Sequence, residues 1–339
     1  MSISVVASGL VTAIGFNAAA CLAALRAKIS GVKTEKLYDL QAGQYLRAAR
    51  VRLPQWWEGI GKLAELLAPA IAECMDAADG VDSARIPVLL CLPEPGPPDR
   101  LGGTPAQLVA ALQARLGRPL SPLSRTLAQG QVSAVAALVH ARALLAQNDC
   151  AYCIVAGVDS FLRQSVVDAY IAPRRVMTAS NSNGFFPGEA ASAVLLRQSR
   201  PDGPELRLLG LGLGREAATI ASDLPLQAKG LCAAVQGALG EASVAFHDVD
   251  YRIADANGEH YKFKEATLLV GRLMRKRKPE RFELWHPVES LGEIGAAIGP
   301  AALAQALHAG LHGYAPGPTV LCHFGSDGGD RAAAVLRYT

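Results

Sequence analysis

The sequence lacks any strong bias of charge. Its formal net charge is only +3 at pH 7, and 19% of its residues are charged. Proteins that bind nucleic acid usually concentrate a basic excess on one surface, so this composition argues against nucleic acid as the partner. The dense basic run, residues 275–278 together with Arg281, has the ordinary interpretation of a solvated surface.

Long apolar runs are also missing. The longest apolar stretches are interrupted by charge or histidine, as at His140 and Arg142, whereas a membrane-spanning helix needs about 20 mostly apolar residues in succession. No lysine or arginine precedes Arg26, so the apolar start of the chain lacks the basic region of a secretory signal. These features predict no membrane span and a cytoplasmic location.

Cysteine is scarce and scattered. The chain has seven cysteines, and most stand among apolar neighbours, which is typical of buried free thiols. Cys150 and Cys153 form a CxxC motif, but no second pair accompanies it, as a zinc site would require. Cys153 also begins an apolar run typical of a buried strand, whereas a redox CxxC opens a helix. We therefore expect no metal site and no cofactor.

Short apolar runs alternate with longer helical stretches along the chain. The runs typical of buried strands are residues 3–7, 86–92, 153–156, 206–213, 251–256 and 319–324. The stretches typical of helices are residues 17–27, 63–78, 105–116, 133–146, 225–239, 258–274 and 294–309. Such alternation predicts an α/β fold in which helices cover the sheets.

A weak internal repeat predicts two similar halves. Residues 188–195 and 329–336 each begin with glycine and an acidic residue, and each continues through small residues into aliphatic ones. The segment 198–204 contains two prolines and a glycine and is a natural join. We predict an N-terminal half, residues 1–200, and a C-terminal half, residues 205–339, that share one layered core.

Five segments, in order along nearly the whole chain, resemble the β-ketoacyl synthase family. Residues 9–15 resemble its opening strand and turn, and residues 131–159 resemble its nucleophile helix and the strand that follows. The other three are similar to glycine-rich motifs of the family: residues 184–191, 292–299 and 324–329. The resemblance implies an α/β fold of the thiolase-like type, a five-layered αβαβα sandwich of two duplicated halves.

The catalytic residues of that family are replaced. A condensing enzyme attacks its thioester with a cysteine at the start of a buried helix, and the resemblance places Gln131 there. Asn257 stands where the family has its first histidine, and Glu293 where it has the second, with the spacing one residue short. Glu289 takes the place of the family's lysine. A glutamine amide is not a nucleophile, so we expect no condensation of acyl thioesters.

Several further residues are candidates for lining the pocket. In the family, a backbone N–H of the last glycine-rich loop helps to form the oxyanion hole, and Ser326 occupies that position after Phe324 and Gly325. His323 directly precedes this loop, although a buried histidine at a strand end is the simpler interpretation. His260 has the simpler interpretation of an exposed residue in the first turn of a helix.

Ser133 is the nearest hydroxyl to Gln131 along the chain. It would be a nucleophile only with a base beside it, and no base is evident in the neighbouring sequence.

The resemblance implies a non-catalytic subunit. Chain-length-factor subunits also resemble synthases with glutamine at the cysteine position, as at Gln131, and they pair with active ketosynthases. It implies a homodimer, or a heterodimer with an active ketosynthase, formed beside residues 153–156. It also makes the basic run near Arg281 a candidate contact for an acyl carrier protein.

Two alternatives stay open. One is an acyl-thioester enzyme with altered chemistry, a decarboxylase or a hydrolase; it ranks lower because the decarboxylases of this family that carry glutamine keep their histidines. The other is a scaffold or ligand-binding protein that reuses the acyl pocket. In a relic site, Gln131, Asn257 and Glu293 should hydrogen-bond to each other or to the backbone. In a repurposed site, a cavity should stay open, with Gln131, Asn257 and the Ser326 N–H converging on one point.

Overall fold

The computed structural model describes residues 2–54, 58–78, 80–200, 203–278 and 281–339. The strands are β1 (Ile3–Thr12), β2 (Val32–Asp39), β3 (Gln44–Ala49), β4 (Val88–Cys91), β5 (Arg125–Leu127), β6 (Tyr152–Ser160), β7 (Glu189–Gln198), β8 (Leu206–Arg215), β9 (Tyr251–Ala254), β10 (Leu284–Trp285), β11 (Thr319–Gly325) and β12 (Asp330–Tyr338). The helices are α1 (Ala18–Arg26), α2 (Gly59–Asp76), α3 (Pro105–Leu116), α4 (Ser133–Ala146), α5 (Gln164–Ile171), α6 (Lys229–Ala242), α7 (His260–Leu273), α8 (Val288–Leu291) and α9 (Ile298–Leu311).

The sheet consists of two halves with the same topology. Its strand order is β5-β4-β6-β7-β1-β8-β12-β11-β9-β10, and β1 meets β8 through only two residue pairs. The hairpin of β2 and β3 forms a separate sheet, so the five strands of the first half are β1, β4, β5, β6 and β7, and those of the second half are β8 to β12. In each half the first of these strands is antiparallel to the fifth, and the fifth is antiparallel to the fourth. The fourth, second and third strands run parallel to one another. The predicted duplication is therefore confirmed, and β7 and β12, which carry the sequence repeat, are the equivalent fifth strands.

Helices form three layers around the two half-sheets. The central helices α4 and α9 pack in one apolar cluster with strands of both halves, as Leu138 and Ala302 show. The helices α2 and α3 cover the outer face of the first half, and α6 and α7 cover that of the second. This is the predicted five-layered αβαβα sandwich. The limits of the two halves as separate domains stay a prediction, and Pro201 and Asp202 of the expected join lie outside the described residues.

Helix α6 packs directly on the backbone of β8. Gly210, Gly212 and Gly214 face the helix, and a methyl group built on Gly212 would lie 1.8 Å from the carbonyl oxygen of Ala234. The alternation of leucine and glycine in β8 therefore gives the helix a surface without side chains on which to lie.

Three predicted helix starts are wrong by four residues. Helix α2 begins at Gly59, ahead of the expected residue 63. Helix α6 begins at Lys229 rather than at residue 225, because Ala228 adopts a left-handed conformation with φ of 55°. Helix α9 begins at Ile298 after a single 3-10 turn, Gly295–Ala297, because Gly295 has a φ of 48°. The hairpin of β2 and β3 was not predicted.

The predicted interface strand is also wrong. Residues 153–156 belong to β6, which pairs with β4 on one side and β7 on the other. Its N–H and C=O groups are therefore used within the sheet, and it has no free edge for another chain. The open edges of this sheet are β5 and β10.

Across the described ranges, no helix combines the length and the apolar character that crossing a membrane requires. Within the same ranges, no three or more His, Cys, Asp and Glu side chains are grouped so that they could hold a metal ion. All seven cysteines are free, and only Cys150 is not buried.

Candidate functional site

Gln131 lies in the centre of the molecule. It occupies a single 3-10 turn, Gly130–Val132, that leads directly into α4. Its side chain is 6% exposed, and its Nε2 donates a hydrogen bond of 3.4 Å to Oε1 of Glu293. The residue at the expected nucleophile position is therefore an amide that bonds to the carboxylate at one of the expected histidine positions.

Glu293 connects Gln131 and Asn257, the other two residues expected at catalytic positions. Its Oε2 accepts a hydrogen bond of 2.6 Å from Nδ2 of Asn257, and its Oε1 also accepts one of 2.9 Å from the Gly295 N–H. Glu293 is 2% exposed, so protein donors replace water around this carboxylate. Gln131, Asn257 and Glu293, which are distant in sequence, form one buried hydrogen-bonded chain.

A buried lysine supplies positive charge beside this chain. Nζ of Lys262 donates to Oδ2 of Asp255 over 2.6 Å and to the carbonyl oxygen of Gly325 over 2.5 Å. Burial raises the pKa of the Glu293 carboxyl, while the charge of Lys262 and the hydrogen bond from Asn257 oppose that shift. Burial lowers the pKa of Lys262, but the charges of Asp255 and Glu293 outweigh it, so the net shift is upward. Lys262 therefore stays charged at neutral pH.

Two ion pairs close the outer side of the site. Asn257 also donates to Oε2 of Glu259 over 3.1 Å. Arg175 pairs with Oε1 of Glu259 at 2.7 Å and with Oδ2 of Asp327 at 2.6 Å. A cavity of about 500 Å³ lies beyond these ion pairs, and its lining reaches Arg175, Glu259 and Asp327 but not Gln131. The ion pairs therefore lie between the cavity and the side chains of Gln131, Asn257 and Glu293.

The glycine-rich loop does not form an oxyanion hole at Ser326. Phe324 is buried in the central apolar cluster, and the Gly325 N–H donates to Oδ2 of Asp255 over 3.0 Å. The Ser326 N–H donates to the carbonyl oxygen of Asp330 over 2.9 Å, within the turn between β11 and β12. The convergence expected of a repurposed site is therefore absent, because this donor already has an acceptor.

The remaining candidates lie apart from the chain of polar side chains. Oγ of Ser133 donates to the carbonyl oxygen of Leu127 over 3.1 Å and accepts the Gln129 N–H. His260 is exposed. His323 is 3% exposed, and burial lowers its pKa to about 3.

The residue expected in place of the family's lysine is also elsewhere. The Glu289 side chain is 78% exposed and lies 3.4 Å from His286, so it is not part of the site. The lysine that does reach the site is Lys262, from α7.

Sequence reasoning missed several charged members of this site. Asp255, Glu259 and Lys262 all follow β9 closely, and a buried strand followed by three charges within eight residues is the signal that was available. Arg175 carries no such signal, because its partner Glu259 is 84 residues away. Glu94, whose pKa is raised by burial, accepts a hydrogen bond from Ser326, and it was missed for the same reason.

No protein-family model matches this chain, and no curated protein matches it in sequence. Solved structures match it over its whole length. One is a chain of the ketosynthase ApeO in complex with its chain length factor ApeC from Xenorhabdus doucetiae, with a TM-score of 0.78, 15% identity, and coverage of 100% of this chain and 98% of that chain.

Two further solved structures also match nearly the full length of this chain. The ishigamide ketosynthase/chain length factor has a TM-score of 0.76 and 16% identity, over 99% of this chain and 98% of that chain. AntDE:AntF, a type II PKS acyl-carrier protein in complex with its ketosynthase bound to the hexaketide, has a TM-score of 0.78 and 13% identity, over 99% of both chains. Together with the topology and the layers, these similarities show that the chain has the thiolase-like fold of ketosynthases and chain length factors.

Proposed function

We propose that this chain is a non-catalytic, synthase-like subunit that assembles with an active ketosynthase in fatty-acid or polyketide-type acyl chemistry. One observation carries the proposal: Gln131, Asn257 and Glu293, at the three catalytic positions, hydrogen-bond to one another. This is the arrangement expected of a relic site, and it leaves no nucleophile where a thioester would be attacked.

The electrostatics of the site support the same function. Condensation develops negative charge on a thioester oxygen, and donors must stabilise it. Here the amide donors of Gln131 and Asn257 already serve the Glu293 carboxyl group, so neither is free to stabilise an oxyanion. An altered decarboxylase or hydrolase meets the same obstacle, so neither alternative gains support from the site.

The chain should not become acylated. After incubation with acetyl and malonyl thioesters of coenzyme A or of an acyl carrier protein, intact-protein mass spectrometry should show an unmodified mass, because Gln131 has no thiolate to transfer the acyl group to. The malonyl thioester should also persist without decarboxylation. A ketosynthase with an intact cysteine serves as the positive control, and an acyl adduct within residues 130–146 or loss of CO₂ would refute the proposal.

The edge strand β5 is the proposed contact with the partner. The Leu127 carbonyl accepts the Leu92 N–H, so by the alternation of a parallel strand the N–H and C=O of Thr126 point to the open side of the sheet. A groove of about 800 Å³ lies beside this strand, with Val88, Leu90 and Val109 in its lining. Outward-facing backbone N–H and C=O groups beside an apolar surface can pair with the edge strand of a second chain, which would extend the sheet. An acyl carrier protein is a further proposed partner of the assembled complex.

Thr126→Pro should abolish the assembly while the chain stays folded. Proline removes one outward N–H and leaves the bonds of Leu127 to β4 intact. Light scattering should give a dimer, or a one-to-one complex with a ketosynthase encoded beside this chain, for the wild type and for Thr126→Ala. Thr126→Pro should give a monomer with an unchanged circular dichroism spectrum. A monomeric wild type with no ketosynthase partner would contradict the proposal.

A further inference from the structure

Arg252 is a buried cation without a described counter-charge. It lies on β9, is 7% exposed, and forms no ion pair with any residue in the described ranges. Its one side-chain hydrogen bond is a long one, 3.4 Å from Nη1 to the carbonyl oxygen of Ala266, and its Nε has no partner. Burial lowers its pKa to about 10, so the guanidinium is still charged at neutral pH.

A second cation, Lys278, shares an aromatic ring with this guanidinium. The guanidinium lies 4.5 Å from the ring centroid of Phe282, and Nζ of Lys278 lies 5.0 Å from the same centroid. Lys278 also donates to the carbonyl oxygen of Val249, at the start of β9. The segment between α7 and β10, called the basic segment, includes Lys278 and also carries the exposed Arg275, Lys276, Arg277 and Arg281. None of these cations forms an ion pair with a described residue.

This cluster is separate from the substituted catalytic site. Arg252 precedes Asn257 by five residues and faces the outer layer, and the Arg252 N–H pairs with the Glu283 carbonyl of the basic segment. His323 lies on the same face of the sheet, since it pairs with Ala254 as Leu321 pairs with Arg252, and its Nε2 also lacks a partner. Two buried polar groups on one face, neither with a hydrogen-bond partner, indicate a missing polar ligand.

We propose that Arg252, Lys278 and the basic segment bind a phosphoryl-type oxyanion. The planar guanidinium presents paired N–H donors that match two oxygens of phosphate, and an anion there would supply the counter-charge that Arg252 lacks among the described residues. Because Arg252 is 7% exposed, only a small group can reach its guanidinium. The phosphoryl group belongs either to free phosphate or to a phosphate ester. An acidic protein would meet the exposed lysines and arginines but not Arg252.

The test compares unfolding temperatures of the full chain in potassium phosphate and in potassium chloride at equal ionic strength. Phosphate should raise the midpoint in a saturable way, because a ligand that binds only the folded state stabilises it. Glycerol 3-phosphate distinguishes the sources: an equal effect indicates recognition of the phosphoryl group in an ester, and no effect indicates free phosphate. Polyglutamate tests an acidic partner.

The Arg252→Met variant makes the test specific. Without phosphate it should unfold at a higher temperature than the wild type, because an apolar side chain replaces an uncompensated buried charge. Its apparent Kd for phosphate should rise by at least about tenfold. Lys278→Met should also weaken phosphate binding, whereas the exposed Arg272→Gln should leave it nearly unchanged.

Three results would contradict the proposed phosphate site. The first is that phosphate causes no specific shift in the unfolding temperature. The second is that Arg252→Met is destabilised or unfolded, which would indicate an internal counter-charge. The third is that polyglutamate has a larger effect than phosphate and that this effect survives in Arg252→Met. None of them bears on the proposed subunit role, since acylation and assembly are measured separately and depend on other residues.

Discussion

Gly212→Ala should strongly destabilise the chain or prevent it from folding. A methyl group at this position would lie 1.8 Å from the Ala234 carbonyl oxygen and 2.7 Å from the Ala238 N. Both atoms belong to the backbone of α6, so the clash cannot be relieved by rotating a side chain. Overpacking against side chains typically costs about 1–3 kcal/mol, and we expect a loss of at least about 3 kcal/mol here because the helix must move.

Gly237→Ala is the matched control for this prediction. Gly237 faces β8 from the helix side, and a methyl group there would come no closer than 3.5 Å, to the Cα of Gly212. Alanine is favoured over glycine inside a helix by about 1 kcal/mol, so this variant should be as stable as the wild type or more stable. Urea unfolding followed by circular dichroism measures both variants, and equal midpoints for Gly212→Ala and the wild type would contradict the packing argument.

The regular elements of the fold could be predicted from local pattern. The expected helices at residues 105–116 and 133–146 coincide with α3 and α4, because both stretches are rich in alanine and leucine, which favour a helix without reference to the rest of the chain. The hairpin of β2 and β3 escaped prediction because an irregularity in pairing between Thr34 and Tyr38 breaks the alternation that marks a strand.

The order of strands could not be predicted from the same pattern. The run at residues 153–156 is apolar, and so is a strand at an obligate interface. The apolar character has another cause here, because β6 is covered on both faces and paired on both edges. The local sequence predicts that a strand is buried, but it does not show whether the same chain or a partner covers it. For this reason the interface was assigned to the wrong strand.

The candidate site was predictable where it follows family motifs and not where it depends on remote charges. The motifs led to the expectation that Gln131, Asn257 and Glu293 stand at the family's catalytic positions, and the structure brings these side chains into contact. Arg175 and Lys262 are held by carboxylates that the fold, not the local sequence, brings near them. Charged residues in a sequence are usually exposed, so their burial is visible only in three dimensions.

Glu293→Ala should lower the free energy of unfolding by about 3–5 kcal/mol, the range for removing one partner from a buried ionic network. The Glu293 carboxylate accepts hydrogen bonds from Gln131, Asn257 and the Gly295 N–H, and all three donors would lose it. Lys262 would lose one of the three acidic groups that raise its pKa, and Asp255 and Asp327 would remain. Glu289→Ala is the control: it lies four residues earlier and its side chain is 78% exposed, so it should change stability by less than about 0.5 kcal/mol.

Formate should rescue the Glu293→Ala variant. The substitution leaves a buried cavity with the Gln131 and Asn257 amides and the Gly295 N–H around it, and a small carboxylate can satisfy the same donors. Binding only to the folded state, formate at about 100 times its Kd should restore about 2.7 kcal/mol, whereas chloride at equal ionic strength should not. Wild type and Glu289→Ala should not respond, because Glu293 already occupies the position. Rescue would establish that the Glu293 side chain acts as an internal carboxylate ligand of the Gln131 and Asn257 amides. A variant as stable as wild type, or one indifferent to formate, would mean that these donors find other acceptors and that the site is not held closed by Glu293.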